Sequence, residues 1–189
     1  MKKTLFIAAL GAVAAVSHAF TVASFQDPTI GQSNLVVFTV TSSSLTAFYT
    51  GIELNVLGTT YTGITLNVAP VAVSGAGPVK TVAAGTAVFS SVSDPNVLTI
   101  SWDNASLVEP FGVGASFASG QNITFSGTSI PAGAAFWTDE QFAFSFANPV
   151  IGRNADTYSA SMTSSAVPEP ASMAVLGLAV AALARRRRS

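Results

Sequence analysis

The sequence predicts an all-β protein: a single antiparallel β-sandwich of immunoglobulin-, cohesin- or jelly-roll type, followed by a short C-terminal hydrophobic helix. Three observations carry that expectation. Apolar residues in the middle of the chain recur with period two, as they do in half-buried strands. Clusters of Gly, Pro, Ser, Asp and Asn separate these runs at short intervals, supplying turn chemistry. No window between residues 20 and 165 sustains a 3.6-residue period with helix caps.

The first element is a signal. Met1, Lys2 and Lys3 precede an apolar stretch from Leu5 to Val16, and Ser17-His18-Ala19 follows. A short positive region, an apolar segment and small residues at −3 and −1 form a secretory signal peptide, with cleavage between Ala19 and Phe20. The apolar stretch is short for a membrane span of about 20 residues. Eight strands are expected next, near 21–25, 35–41, 46–57, 60–68, 79–90, 96–102, 121–127 and 140–147. Strict alternation in the third would group Phe48, Thr50, Ile52, Leu54 and Val56 on one face. Ala47, Tyr49, Gly51, Glu53 and Asn55 would then share the other. Phe142, Phe144 and Phe146 line one face of the last run, as do Leu98, Ile100 and Trp102 in "NVLTISWD" and Ile123 and Phe125 in "NITFS". "LVVFTVT" begins apolar on both faces, as a central strand would. Turns are expected at Ser42–Ser44, at "SGAGP" (74–78) and at "SDPN" (93–96).

After Pro149 the pattern fades. "NADTYSASMTSSA" (154–166) is small, polar and rich in serine. One last strand is expected around Tyr158–Thr163, with a flexible linker beyond it. The expected organisation is therefore a signal peptide at 1–19, a β-domain at 20–153, a Ser-rich linker at 154–166 and a distinct tail at 167–189.

Composition narrows the chemistry. Between residues 20 and 167 only Lys80 and Arg153 are basic, against eight acidic residues, a formal charge of −6. Nucleic-acid binding needs Lys and Arg against phosphates and is excluded. The chain has no cysteine, and its one histidine, His18, lies in the signal peptide. The mature body thus lacks Ser-His and Cys-His pairs, zinc-finger ligands and the usual haem ligands. Burial rather than disulfides must stabilise it. Paired-carboxylate chemistry is the least excluded catalysis, with Glu53, Asp103, Glu109, Asp139 and Glu140 as candidates. Asp139 and Glu140 would face opposite sides of a strand. Asp94 and Asp103 read first as turn residues, and no Asp-rich loop supplies the six to eight oxygens that calcium takes. The expectation is a body with no catalytic residues, no metal and no cofactor.

The tail is the most specific feature. Val167-Pro168-Glu169-Pro170 precedes Ala171–Ala184, an uncharged run of Ala, Leu, Val, Gly, Met and Ser, and Arg185, Arg186, Arg187 and Arg188 follow. As a helix, fourteen residues would reach about 21 Å, against a hydrocarbon core of about 30 Å. Four arginines resist translocation and act as a stop-transfer on the cytoplasmic side. The triplet, the short apolar segment and the arginine cluster, in this order, resemble a PEP-CTERM sorting signal. The resemblance covers only the tail and the signal peptide it requires. It implies recognition by an exosortase, a multi-spanning membrane transpeptidase with a cysteine nucleophile, which removes the tail and transfers the body to a surface acceptor. It also implies a Gram-negative bacterium that makes extracellular polysaccharide.

Together these readings predict an exported, non-catalytic cell-surface or extracellular-matrix protein. Its partners would be the secretion machinery, the membrane before processing, the exosortase and exopolysaccharide. The alternative is a carbohydrate-binding or adhesion module that stacks sugars on Trp102, Trp137, Tyr49 or Tyr61.

Overall fold

The computed structural model describes residues 18–28, 37–116 and 121–168. The other residues of the expected signal peptide, the beginning of the 35–41 run, Glu169, Pro170, the helix expected at 171–184 and Arg185–Arg188 lie outside them. Among the described residues no helix is long and apolar enough to cross a membrane.

Ala19–Pro168 forms one compact unit built of antiparallel strands. They are β1 (Phe20–Phe25), β2 (Phe38–Val40), β3 (Ser44–Val56), β4 (Thr59–Ser74), β5 (Val79–Val82), β6 (Gly85–Ser90), β7 (Leu98–Trp102), β8 (Ala105–Val108), β9 (Gly112–Ser116), β10 (Ile123–Ser126), β11 (Trp137–Val150) and β12 (Asp156–Pro168). A 3-10 turn, Ala132–Phe136, leads into β11. The all-β expectation holds, with one continuous sheet in place of two separate ones.

Hydrogen-bonded neighbours close a ring: β3, β4, β5, β8, β9, β11 and β12, then back to β3 through β1 and β2. From the middle of β4 a branch of β6, β7 and β10 continues outward. This branch folds back over the ring. Phe89 of β6 meets Phe25 of β1 with ring centres 6.0 Å apart, and Trp102 of β7 meets Phe142 of β11 at 5.1 Å. Phe144 packs on Phe38 at 5.0 Å, so the phenylalanines of β11 bind both parts of the sheet into one core.

Four expectations need correction. The Ser-rich segment is not a linker. It is β12, which pairs with β11 along nearly its whole length and with β1 and β2 on its other side. Tyr158, Ser159, Ala160, Met162, Ser164 and Ala166 are buried in it. Small side chains let the neighbouring strands and the core approach, and the buried hydroxyls find partners. Ser164 Oγ accepts from Ala23 N at 3.0 Å and donates to Ala23 O at 3.1 Å.

The faces of β3 also differ from strict alternation. Gly51, at φ 91, is an extra residue between Thr50, opposite Thr65, and Ile52, opposite Ile64. This bulge reverses the parity of the strand. Leu45 and Ala47 therefore lie inside with Ile52, Leu54 and Val56, while Phe48 is left outside at 64% exposure.

The run at 79–90 is broken into β5 and β6. Ala83 leaves the ladder, donating to Ala72 O and accepting from Trp102 Nε1 at 3.0 Å. Finally, β8 and β9 are strands where the sequence pattern predicts none. Their composition is poor in strand formers, and β9 requires glycine. A Cβ on Gly112 would lie 2.1 Å from Phe144 O, and one on Gly114 would lie 2.6 Å from Phe142 O. The chain turns as expected around Ser42–Ser44, 74–78 and 93–96.

Candidate functional site

The candidate site is the end of the sheet where Phe20 and Pro168 lie. Phe20, directly after the predicted cleavage point at Ala19, opens β1 and pairs with Ala166 of β12. Beyond this rung Thr138 pairs with Val167 and Trp137 with Pro168. Val167 O accepts from Thr138 Oγ1 at 3.3 Å, and Gln141 Nε2 donates to Ser165 Oγ at 2.7 Å. The Phe20 and Trp137 rings pack edge to face, 5.0 Å between centres at 80°, and Phe125 of β10 lies 6.2 Å from Trp137. Half of the predicted sorting motif, Val167 and Pro168, is thus part of the last strand. Its other half, Glu169 and Pro170, lies outside the described residues.

A shallow groove of about 440 Å³ runs along this end between β1 and β11, floored by Thr163, Ser164 and Ser165. A second, of about 450 Å³, lies between β10 and the 3-10 turn, with Phe125, Ile130 and Glu140 in its lining. Burial raises the Glu140 carboxyl above its ordinary value, and the neighbouring Asp139 charge adds to the shift. Both acids lie at the start of β11, where Asp139 adopts φ 51 in the register shift between Thr138 and Gln141.

The opposite end holds both basic residues of the body. Lys80 Nζ bonds Glu109 Oε2 at 2.9 Å. The same groove, about 460 Å³, is lined by Arg153 and Asp156 as well. Its charges balance, two against two. The remaining carboxylates serve turns and edges. Asp103 Oδ2 accepts from Asn122 Nδ2 at 2.7 Å at the end of β7. Asp94 accepts from Asn96 N at 2.9 Å and from Thr128 Oγ1, and the Thr128 bond first, then the backbone bond, lowers its carboxyl pKa. Glu53 shares a polar groove with Asp27 and Asn55. Among the described residues no three His, Cys, Asp or Glu side chains gather in a metal-holding group.

The four aromatic residues expected to contact sugars are not brought together. Trp102 is buried in the core and its indole nitrogen is used by Ala83, so it offers no stacking face. Tyr49, Tyr61 and Trp137 are half-buried and pack against the core from different strands. The rings that stand out are Phe48 and Phe111, at 64% and 72% exposure. Sequence reasoning missed them because a bulge and a tight loop, rather than alternation, decide where they point. The glycine in "YTGI" was the available signal for the first.

Residues 166–188 match the family model of the PEP-CTERM protein-sorting motif. No curated protein and no solved structure matches the chain. The match falls on the stretch from Val167-Pro168-Glu169-Pro170 to Arg188 that the sequence singled out, and it implies an exported protein recognised by an exosortase.

Proposed function

We propose that this chain is a non-catalytic cell-surface or extracellular-matrix protein, exported by its signal peptide, held at the inner membrane by its tail and released to the surface by exosortase. One observation supports this best. The body runs from Phe20 to Pro168 as a single sheet, and both signals join it at one end. Removing both would leave the described core complete. The low charge of the body and the absence of His and Cys from it fit a structural role in an exopolysaccharide matrix.

The test is expression with and without an exosortase in a Gram-negative host. With the enzyme, the chain should lose its tail and leave the inner membrane. Without it, or with Arg185–Arg188 all changed to alanine, the tail should stay attached and surface delivery should fail. A full-length chain soluble in the cytoplasm would overturn the proposal. The carbohydrate-binding alternative has less support, because Trp102 is buried. A glycan array probed with residues 20–168 would revive it if Tyr61→Ala or Tyr49→Ala abolished a signal.

A further inference from the structure

Only Glu169 and Pro170 separate Pro168, the last residue of β12, from Ala171, the first residue of the uncharged run. Two residues span at most about 7 Å. Strand β12 has no slack to add. Ala166 is buried against Phe20, and Val167 and Pro168 are paired with Thr138 and Trp137. The headgroup layer of a bilayer is about 5–7 Å deep on each side of the hydrocarbon. A tail that enters the bilayer at Ala171 therefore brings the end of the body that carries both termini to headgroup depth.

The side chains at this end suit that position. Trp137 and Phe20 form a half-buried aromatic pair, and tryptophan favours the membrane–water interface. Neither Lys80 nor Arg153 is there, and Asp139 is exposed nearby, so anionic lipid would not attract it. Resting on the sorting reading above, we propose that the Phe20–Trp137 end is a lipid-facing surface while the tail is attached. The body then stands on the bilayer rather than hanging from a tether. Pro168 is then presented at membrane level to a processing enzyme embedded there. Once the tail is lost, an aromatic pair without basic residues is a weak anchor, and the body leaves.

The test uses the full chain, purified unprocessed from a host lacking exosortase and reconstituted in phosphatidylethanolamine–phosphatidylglycerol vesicles. Acyl chains brominated near the headgroup or near the bilayer centre serve as quenchers. Headgroup-proximal bromine should reduce tryptophan emission more than central bromine does. Trp137→Phe should abolish that loss, leaving the buried Trp102 as an unquenched internal reference. The conservative ring keeps the contact with Phe20, and circular dichroism checks its fold. If the chain floats with the vesicles but its emission ignores both bromines, the lipid-facing surface is overturned and the sorting reading stands. If the chain does not float at all, the membrane-tail reading falls, and the surface with it.

Discussion

Strands β11 and β12 are partners along almost their full length, yet their sequences have little in common. β11 carries Phe142, Phe144 and Phe146 at period two, and its own residues mark it as a strand. β12 is DTYSASMTSSAVP, and its composition suggests a linker. Both are long, and both place residues in the same core. The difference teaches that a strand can be specified by its neighbours. β11 brings large rings that need space, and β12 brings small residues that fit between the β11 ladder on one side and β1 and β2 on the other. The cost of burying its hydroxyls is met by local partners: Ala23 for Ser164, and Asn148 with Asp27 for Ser159. β9, on the far side of β11, is the same case with glycine in place of serine.

The largest test of this comparison is removal of β12. A chain ending at Arg153 should lose cooperative unfolding altogether, measured by thermal denaturation of residues 20–153 against 20–168. An unchanged melting temperature would restore the linker reading. Next comes Phe144→Ala, which leaves a cavity between Phe38, Phe25 and Phe142 and should cost about 3–5 kcal/mol by denaturant titration. Gly112→Ala should cost about 3 kcal/mol or more, because its Cβ meets the Phe144 carbonyl and its φ of 150 disfavours a side chain. Ser164→Ala removes both bonds to Ala23 from a buried site and should cost about 1–3 kcal/mol. Ser165→Ala, half-exposed beside it, should cost less than about 0.5 kcal/mol. Equal losses at the two serines would mean that β12 is held by its backbone alone.

The smallest effect concerns pH. Burial raises the Glu140 carboxyl in the folded state, so the folded protein binds that proton more readily than the unfolded chain. The ionised form therefore weakens the fold, and its cost grows as pH rises from the ordinary carboxylate value through the raised one. Glu140→Gln should raise the melting temperature at neutral pH, and the gain should disappear in acid. A gain independent of pH would point to packing instead of charge.

The pattern of success follows from this physics. Each of the eight expected strands overlaps an observed one because each buries a patterned apolar face, a property written in the order of its own residues. The faces of Leu98, Ile100 and Trp102, and of Ile123 and Phe125, are the expected ones for the same reason. Alternation failed at β3 because a single bulged residue, Gly51, shifts the register by one, which reverses every side chain beyond it. At the terminal end, the sorting motif was legible because it is a local chemical string: a Pro-Glu-Pro triplet, an uncharged run and a cationic stop.

The sequence by itself determined the all-β class, the core of β11 and the sorting motif. Each depends on residues close together in the chain. Only the tertiary structure decided that Phe20 and Pro168 share one end, that Trp102 is core and Phe48 is surface, and that the Ser-rich segment is a strand. Those outcomes depend on which strands lie side by side. A small polar residue is compatible with water or with a close-packed neighbour, and the neighbour selects between them.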